Sequence, residues 1–534
     1  MIKNKSIFTV ILILFLLLIL KIDYRFIENV ECCGDDHDYY IHAETIALDF
    51  DLDYTNQLAG NENSRYNNND KIAPIGFIGS GILSSPFLFI GDILQSYYSE
   101  IFDDQEQLFN FRIILYSFSA VFYSFLTYLL IIKSLKVLNL KFKPFEVLIF
   151  FLGSGISYYA FERYSMTHIY EAFMSILILY CSLNFYILKK PNLMYAFSIP
   201  FLIFIGISVR WVNYFFFLIP FFAYTFLAKN QIIINRLTKQ LIFYISIFAS
   251  SLLFFLHTKI LYGEITFNPQ FVYGVSGNFE KFLNSSSSPA IFVIESIKNI
   301  LVIFFSEEFG LIWFSPILFF SFLYVFLIIF VKNEYNIFFK IMLFLSFSQI
   351  ISIILLWKST ASSYGYRYLF CLVPISIILY YEFKAKYKIL LVHKYLIVFS
   401  IFSFFSVLFF ETTLNTQLSL DPIINSFGKL SKYSQPNYLT GYLNSVITLE
   451  SYLKIFTTSF LGATIFKILI NLFGINNLLS FLTQAGLPTD NNDFIIYLDT
   501  ISKISEIKFI FVIFLLVSLV IYGYKTIEKI SKVH

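Results

Sequence analysis

LFNFRIILYSFSAVFYSFLTYLLII, residues 108–132, runs for 25 positions with one charged side chain, Arg112. As a helix rising about 1.5 Å per residue, such a stretch spans the roughly 30 Å hydrocarbon core of a bilayer. Comparable apolar runs recur at about 6–22, 145–160, 167–187, 194–209, 211–228, 240–257, 311–331, 341–357, 367–383, 389–410 and 508–524. The chain is 57% hydrophobic and 14% charged over 534 residues, far more apolar than a soluble core requires. The fold class expected is all-α, a polytopic transmembrane helix bundle of about twelve spans.

The formal charge of +3 excludes an electrostatic case for nucleic acid as a partner. The basic residues instead fall in alternate connections, as the positive-inside rule requires of cytoplasmic loops. Lys3 and Lys5, Lys133 to Lys143, Lys189 and Lys190, Lys229 to Lys239, Lys332 and Lys340, Lys384 to Lys388, and Lys525 to Lys532 all come out on one side. Both termini are then expected in the cytoplasm, with the first apolar run an uncleaved anchor because no small-residue cleavage site follows it.

That assignment needs three apolar segments not to cross. Residues 74–91, PIGFIGSGILSSPFLFIG, are interrupted by Gly, Ser and Pro and read as re-entrant or interfacial. Residues 291–304 carry Glu295 and Lys298, and 456–473 carry Lys467; an unpaired charge at mid-membrane costs about 2.5–3.5 kcal/mol on insertion scales. Both read as amphipathic helices at the outer surface. At Arg210 and Trp211 two spans meet almost without a loop, so one long tilted helix is the alternative there. The expected organisation is a membrane module over 1–410 with an external loop at 23–73, an external cap of short helices over 411–507, and a last span with a basic tail over 508–534. Cys181 and Cys371 lie in apolar runs as packing residues, and the adjacent Cys32 and Cys33 would bridge each other only with strain.

Between Asp23 and Lys71 the chain carries twelve acidic side chains against three basic ones. Asp35 and Asp36 would sit at the lipid boundary, where a carboxylate can serve as a general base or hold a divalent cation such as Mg or Mn; a plain solvated loop is the competing reading. His37, Asp38 and His42 lie close by, although their spacing is not diagnostic of a metal site. FERYSMTHIYEAF places Glu162, Arg163, His168 and Glu171 at the outer ends of two spans, with His168 and Glu171 one helical turn apart. Arg210 and Arg367 fall at outward turns, where the guanidinium fork suits a phosphate and snorkelling to the interface is the alternative. Glu307, in SEEFGLIWFSP, opens a helix and complements its N-terminal dipole.

Taken in order, several segments resemble the membrane-integral GT-C glycosyltransferases, in particular bacterial relatives of protein O-mannosyltransferases and the lipid A aminoarabinose transferase. GDDHDYYIHAETIALDFDLDYTN looks like their Gly-Asp-Glu-x-x-Tyr segment, with Tyr39 at the Tyr, and PIGFIGSGILSSPF is similar to the Pro-x-Gly stretch that follows. YSMTHIYEAF, the Gly206 to Arg210 stretch, SEEFGLIWFSPIL and WKSTASSYGYRYLFCLVP continue the similarity to about residue 385. The chain departs from the pattern in having Asp36 for Glu, His37 for Pro, and Thr167-His168 for Ser-His.

The resemblance implies a bacterial plasma-membrane enzyme acting on the periplasmic or exterior face. It would transfer a sugar, with inversion, from a polyprenyl-phosphate-linked donor to a glycan, lipid or protein acceptor. It also implies Asp35 or Asp36 as base, Asp36 as a metal ligand if a cation is used, and His37, Tyr39, His168, Arg210, Glu307 and Arg367 around the substrates. A flippase or transporter of a lipid-linked glycan, or a polysaccharide polymerase or ligase, would need many of the same features. Transporters, however, concentrate ionisable groups at the midplane, whereas these gather at one face.

Overall fold

The computed structural model of the chain describes residues 34–58, 67–68, 71–101, 110–161, 163–188, 192–228, 236–272, 289–306, 310–330, 347, 367–387, 390–409, 460–485 and 492–532. The expected first span at 6–22, Cys32 and Cys33, Glu162, Glu307, and all of 341–357 except Phe347 lie outside these residues. The described chain is a helical bundle; its one β pairing is a two-residue antiparallel bridge, Asn67–Asn68 with Lys71–Ile72.

The first element, α1 (Gly34–Glu44), starts on the acidic pair and continues into a π-helical turn at Thr45–Asp49. Phe50, left-handed at φ 59°, stops it. Next comes α2 (Gly79–Ile101), then α3 (Phe111–Val137), capped by the Asn110 side chain accepting from the Ile113 amide. Four helices follow: α4 (Pro144–Phe161), α5 (His168–Ile187), α6 (Leu193–Val209) and α7 (Trp211–Leu227). Beyond them lie α8 (Arg236–Tyr262), α9 (Pro289–Phe305), α10 (Pro316–Phe330), α11 (Arg367–Lys386) and α12 (Leu390–Phe409). The last four are α13 (Phe460–Phe473), α14 (Ile475–Gln484), α15 (Asn492–Lys503) and α16 (Glu506–Lys532).

Seven helices among the described residues are long and apolar enough to cross a membrane. They are α3, α4, α5, α11, most of α8 and α12, and α16, and each coincides with an expected span. The twelve expected spans are therefore not all seen. Besides the two stretches outside the described residues, those at 194–209, 211–228 and 311–331 form the shorter helices α6, α7 and α10. The last is shortened because Ser315, at φ −151° and ψ 60°, breaks the run after a single turn at Leu311–Phe314. The junction at Arg210 is a true break rather than one long helix. Arg210 is extended, and the chain folds back so that Asn213 Nδ2 donates to Gly206 O at 3.2 Å.

Two of the segments expected not to cross take a definite form. Residues 74–91 hold no break at their Gly and Pro positions: after a short connection, residues 79–91 begin the continuous 23-residue α2, which accommodates Pro86. Its glycines serve close approach instead of a bend. A Cβ on Gly79 would lie 2.3–2.6 Å from the Ser208–Val209 backbone at the end of α6, and one on Gly81 would lie 2.5 Å from Cβ of His42 in α1. The second, at 456–473, is described from Phe460. There α13 turns through 111° into α14, and Lys467 is buried, donating to Ser502 O at 2.8 Å and pairing with Glu506 at 3.1 Å. Pairing is what makes that buried charge tolerable.

The ends of the bundle differ in chemistry. At one, Glu146 in the first turn of α4 is buried and holds Lys143 at 2.9 Å and Lys384, in the last turn of α11, at 2.8 Å. Glu382 similarly takes Lys386 and the Tyr324 hydroxyl, each at 2.7 Å. Lys136 at the end of α3 donates to Ile530 O near the end of α16. Lysines from several alternate connections thus converge on one end. The opposite end of α4 and α11 carries Arg163 and Arg367.

Gly79→Ala is expected to destabilise the bundle by about 1–3 kcal/mol, the usual cost of overpacking, because backbone and not a flexible side chain blocks the new methyl. Thermal unfolding in detergent measures this, and an unchanged midpoint would contradict the α2–α6 contact.

Candidate active site

α1 brings the acidic pair against the connection between α4 and α5. Asp36 and Arg163, 127 positions apart, are both buried, with Asp36 Oδ2 accepting from Arg163 Nε at 3.1 Å and Nη2 at 3.0 Å. Asp36, expected as base or metal ligand, is thus engaged by a guanidinium. Asp35 and His37 are half-buried, while Asp38 is fully buried. Behind them an aromatic chain runs from Tyr40 to Tyr116 at 5.1 Å and on to Tyr164 at 6.0 Å, fixing α1 to α3.

The first turn of α5 carries the second cluster. Glu171 is wholly buried, and its Oε1 accepts from the Thr167 hydroxyl at 2.6 Å. The same oxygen lies 3.2 Å from His168 Nδ1 and 3.4 Å from Arg210 Nη1. Arg210 Nη1 is also 3.2 Å from His168 Nδ1. With a proton on Nδ1 the ring donates to Glu171; without one it accepts from Arg210. Nε2, also buried, has no hydrogen-bond partner among the described residues in either case, and the ring is clasped by Tyr159 at 4.4 Å and Phe370 at 6.2 Å.

Arg210 joins this cluster to α11. Its guanidinium stands 4.4 Å from the Tyr368 ring centroid, and that of Arg367 stands 5.4 Å from the same ring. One phenol ring therefore contacts two cations, an attraction worth about 2 kcal/mol or more when desolvated. Arg367 is buried, and its Nε has no partner among the described residues. Tyr39 lies within electrostatic reach of Arg210, Asp35, Asp38 and Glu171, and its ring packs on Gly76. Burial holds its phenol above the ordinary range, so Tyr39 is a hydroxyl donor and not a base. Asp35, His168, Arg210 and Arg367 are thereby gathered at one end of the bundle.

The rest of the acidic segment is otherwise engaged. His42 is buried, with Nε2 2.7 Å from Gly76 O and Nδ1 2.7 Å from Tyr54 Oη. A carbonyl only accepts, so Nε2 bears the proton and Nδ1 accepts from the tyrosine. The ring is neutral, and burial depresses its pKa to about 4. Tyr262 donates to the same carbonyl at 2.8 Å, which ties α1, the start of α2 and α8 together. Asp51 accepts the Asp53 amide, Asp53 accepts the Thr55 amide and hydroxyl, and Asp49 accepts from Asn56 at 2.8 Å, so these carboxylates shape their own turns. The Thr55 hydrogen bonds lower the Asp53 pKa. Among the described residues no three His, Cys, Asp or Glu side chains converge to hold a metal ion.

No family model, no characterised protein and no solved structure matches the chain. The geometry therefore stands on its own. The sequence named Arg163 and Glu171 and paired Glu171 with His168, but it did not join Arg163 to Asp36 or Glu171 to Arg210, and it missed Tyr368. GYRYLF, residues 365–370, did carry a signal: adjacent Arg and Tyr at the start of an apolar run.

Arg163→Ala leaves the Asp36 carboxylate buried without its guanidinium, a loss of about 3–5 kcal/mol. Thermal unfolding in detergent should show it, and a double-mutant cycle with Asp36→Ala should recover a coupling above about 0.5 kcal/mol; additive losses would contradict the pair. Acid should also loosen the α1–α2 junction. Above pH 6.5 the His42 ring is neutral in folded and unfolded chains alike. Below it the unfolded ring takes up a proton that the folded ring refuses until about pH 4, so stability falls across that window. His42→Gln should flatten this part of the midpoint-against-pH curve, and a curve parallel to the parent's would refute the assignment.

Proposed function

We propose that the chain is a membrane glycosyltransferase. It takes a sugar from a polyprenyl-phosphate-linked donor and passes it to a hydroxyl acceptor at the external face. The observation that carries this reading is the pair of guanidiniums, Arg210 and Arg367, on one aromatic ring beside the half-buried Asp35. Two fixed cations suit a lipid phosphate, and a carboxylate nearby suits an acceptor proton. Both lie at the end of the helices opposite the lysines, the end that the positive-inside rule assigns to the exterior.

In this reading the acceptor oxygen bonds to the anomeric carbon as the bond from that carbon to the phosphate oxygen breaks. Asp35 takes the acceptor proton, and the polyprenyl phosphate leaves with its added negative charge against Arg210 and Arg367. Attack from the face opposite the leaving group inverts the anomeric centre. Asp36, clasped by Arg163, fixes the start of α1 and thus the direction of its neighbour. His168 Nε2 offers a hydrogen bond to the bound donor.

Reconstituted protein given a panel of short-chain polyprenyl-phosphate sugars, with Mg, Mn or chelator, should consume one of them. Asp35→Asn is expected to lower kcat by about 10²-fold or more, the range of general-base contributions, with donor KM little changed. Full activity in Asp35→Asn would remove the assigned base. Absence of turnover across the panel, with lipid moving between leaflets, would replace the transferase by a flippase.

A further inference from the structure

Holding an anionic lipid needs only cations, yet this site contains a wholly buried carboxylate. Glu171 faces Arg210 at 3.4 Å and shares its Oε1 with the Thr167 hydroxyl at 2.6 Å and with His168 Nδ1 at 3.2 Å. Its Oε2 has no partner among the described residues. Burying an acid costs desolvation, which its contacts with Arg210, His168 and Thr167 offset, and it fixes a negative charge beside the cations of the site.

We infer that Glu171 is a positioning residue for product release: it holds back part of the Arg210 charge, so that the site grips the donor without trapping the lipid phosphate that remains after transfer. This rests on the transferase reading. A donor phosphodiester carries one negative charge, and the monoester product carries up to two. Two unopposed guanidiniums would therefore favour product over donor and stall the cycle. A fixed negative charge opposes this, because its repulsion of a dianion is twice its repulsion of a monoanion. At about 6–8 Å in a partly buried site, one unit charge changes an ionic affinity by about ten- to hundredfold.

The carboxylate reaches Arg210 through one oxygen that Thr167 also occupies. Removing the charge and removing the hydroxyl must then act in opposite directions. Glu171→Gln keeps an acceptor for Thr167 and loses the charge; Thr167→Val keeps the charge and leaves more of it for Arg210. Glu171→Asp retains a carboxylate and should restore part of the parent balance.

The experiment is product inhibition by short-chain polyprenyl phosphate in the reconstituted full chain, with donor KM measured in parallel. Glu171→Gln should lower the product inhibition constant about tenfold or more, lower donor KM less, and reduce kcat as release slows. Thr167→Val should raise the inhibition constant, by about two- to fivefold, and Glu171→Asp should fall between parent and Gln. A Gln variant with unchanged or weaker product binding overturns the inference while parent turnover leaves the transferase reading intact. So does a Thr167→Val variant that binds product as tightly as the parent or more tightly, which keeps the test decisive should the Gln variant fail to fold. A parent protein that neither turns over donors nor binds the lipid phosphate overturns both.

Discussion

A charge placed where water is scarce must find its counter-charge, and the architecture depends on this one constraint. Asp36 with Arg163, Glu171 with Arg210, Glu146 with Lys143 and Lys384, and Lys467 with Glu506 each join segments that apolar packing alone would leave free to slide. Ile, Leu and Phe surfaces are nearly interchangeable in lipid, and they set depth better than register. The ion pairs set register. Their cost in desolvation is large, and further contacts offset it: Thr167 and Tyr368 at Glu171 and Arg210, Tyr381 at Glu146, and Ser502 at Lys467.

The same pairs divide the bundle into a basic end and an end with balanced charge. At the balanced end no single residue makes the site. Asp35 is placed by its neighbour's bond to Arg163, Arg210 by Glu171 and Tyr368, and His168 by Glu171 and two aromatic rings. Three elements distant in sequence, α1, the first turn of α5 and the start of α11, supply these parts, and the extended break after α6 supplies Arg210.

Much of the bundle was legible from hydropathy because lipid demands unbroken apolar helix; α3, α5 and α16 coincide closely with their expected spans. What the sequence left unread has a common cause. The Gly and Pro positions in 74–91 looked like interruptions, but at Gly79 and Gly81 the missing side chain makes room for another backbone, a demand invisible without the neighbour. Lys467 looked surface-bound because its partners Ser502 and Glu506 lie 35 and 39 positions away. In the site, residue types and spacing grouped His168 with Glu171, whose i, i+3 contact is seen at 3.2 Å, whereas Arg210 was read apart from them as a cation at an outward turn. The Asp36–Arg163 pair and the double contact of Tyr368 arise only when α1, α5 and α11 meet, and no local pattern announces them.

Seventeen positions separate Arg367 from Lys384 along α11, and seventeen separate Glu146 from Arg163, which lies just beyond α4 after the bend at Gly155, φ 86°. α4 and the turn after it are thus tied by ion pairs at both ends, through Glu146 and Arg163, while α11 is tied by an ion pair at Lys384 and by the contact of Arg367 with Tyr368 at its other end. Adding one residue between the ties would swing the far anchor by about 100° and leave a buried ion facing the wrong neighbour. The two helices are thereby held at fixed depth relative to their neighbours. Where a bilayer's thickness differs from theirs, the bundle must tilt as one body or the lipid must adjust around it, since sliding one helix past the others would break an ion pair.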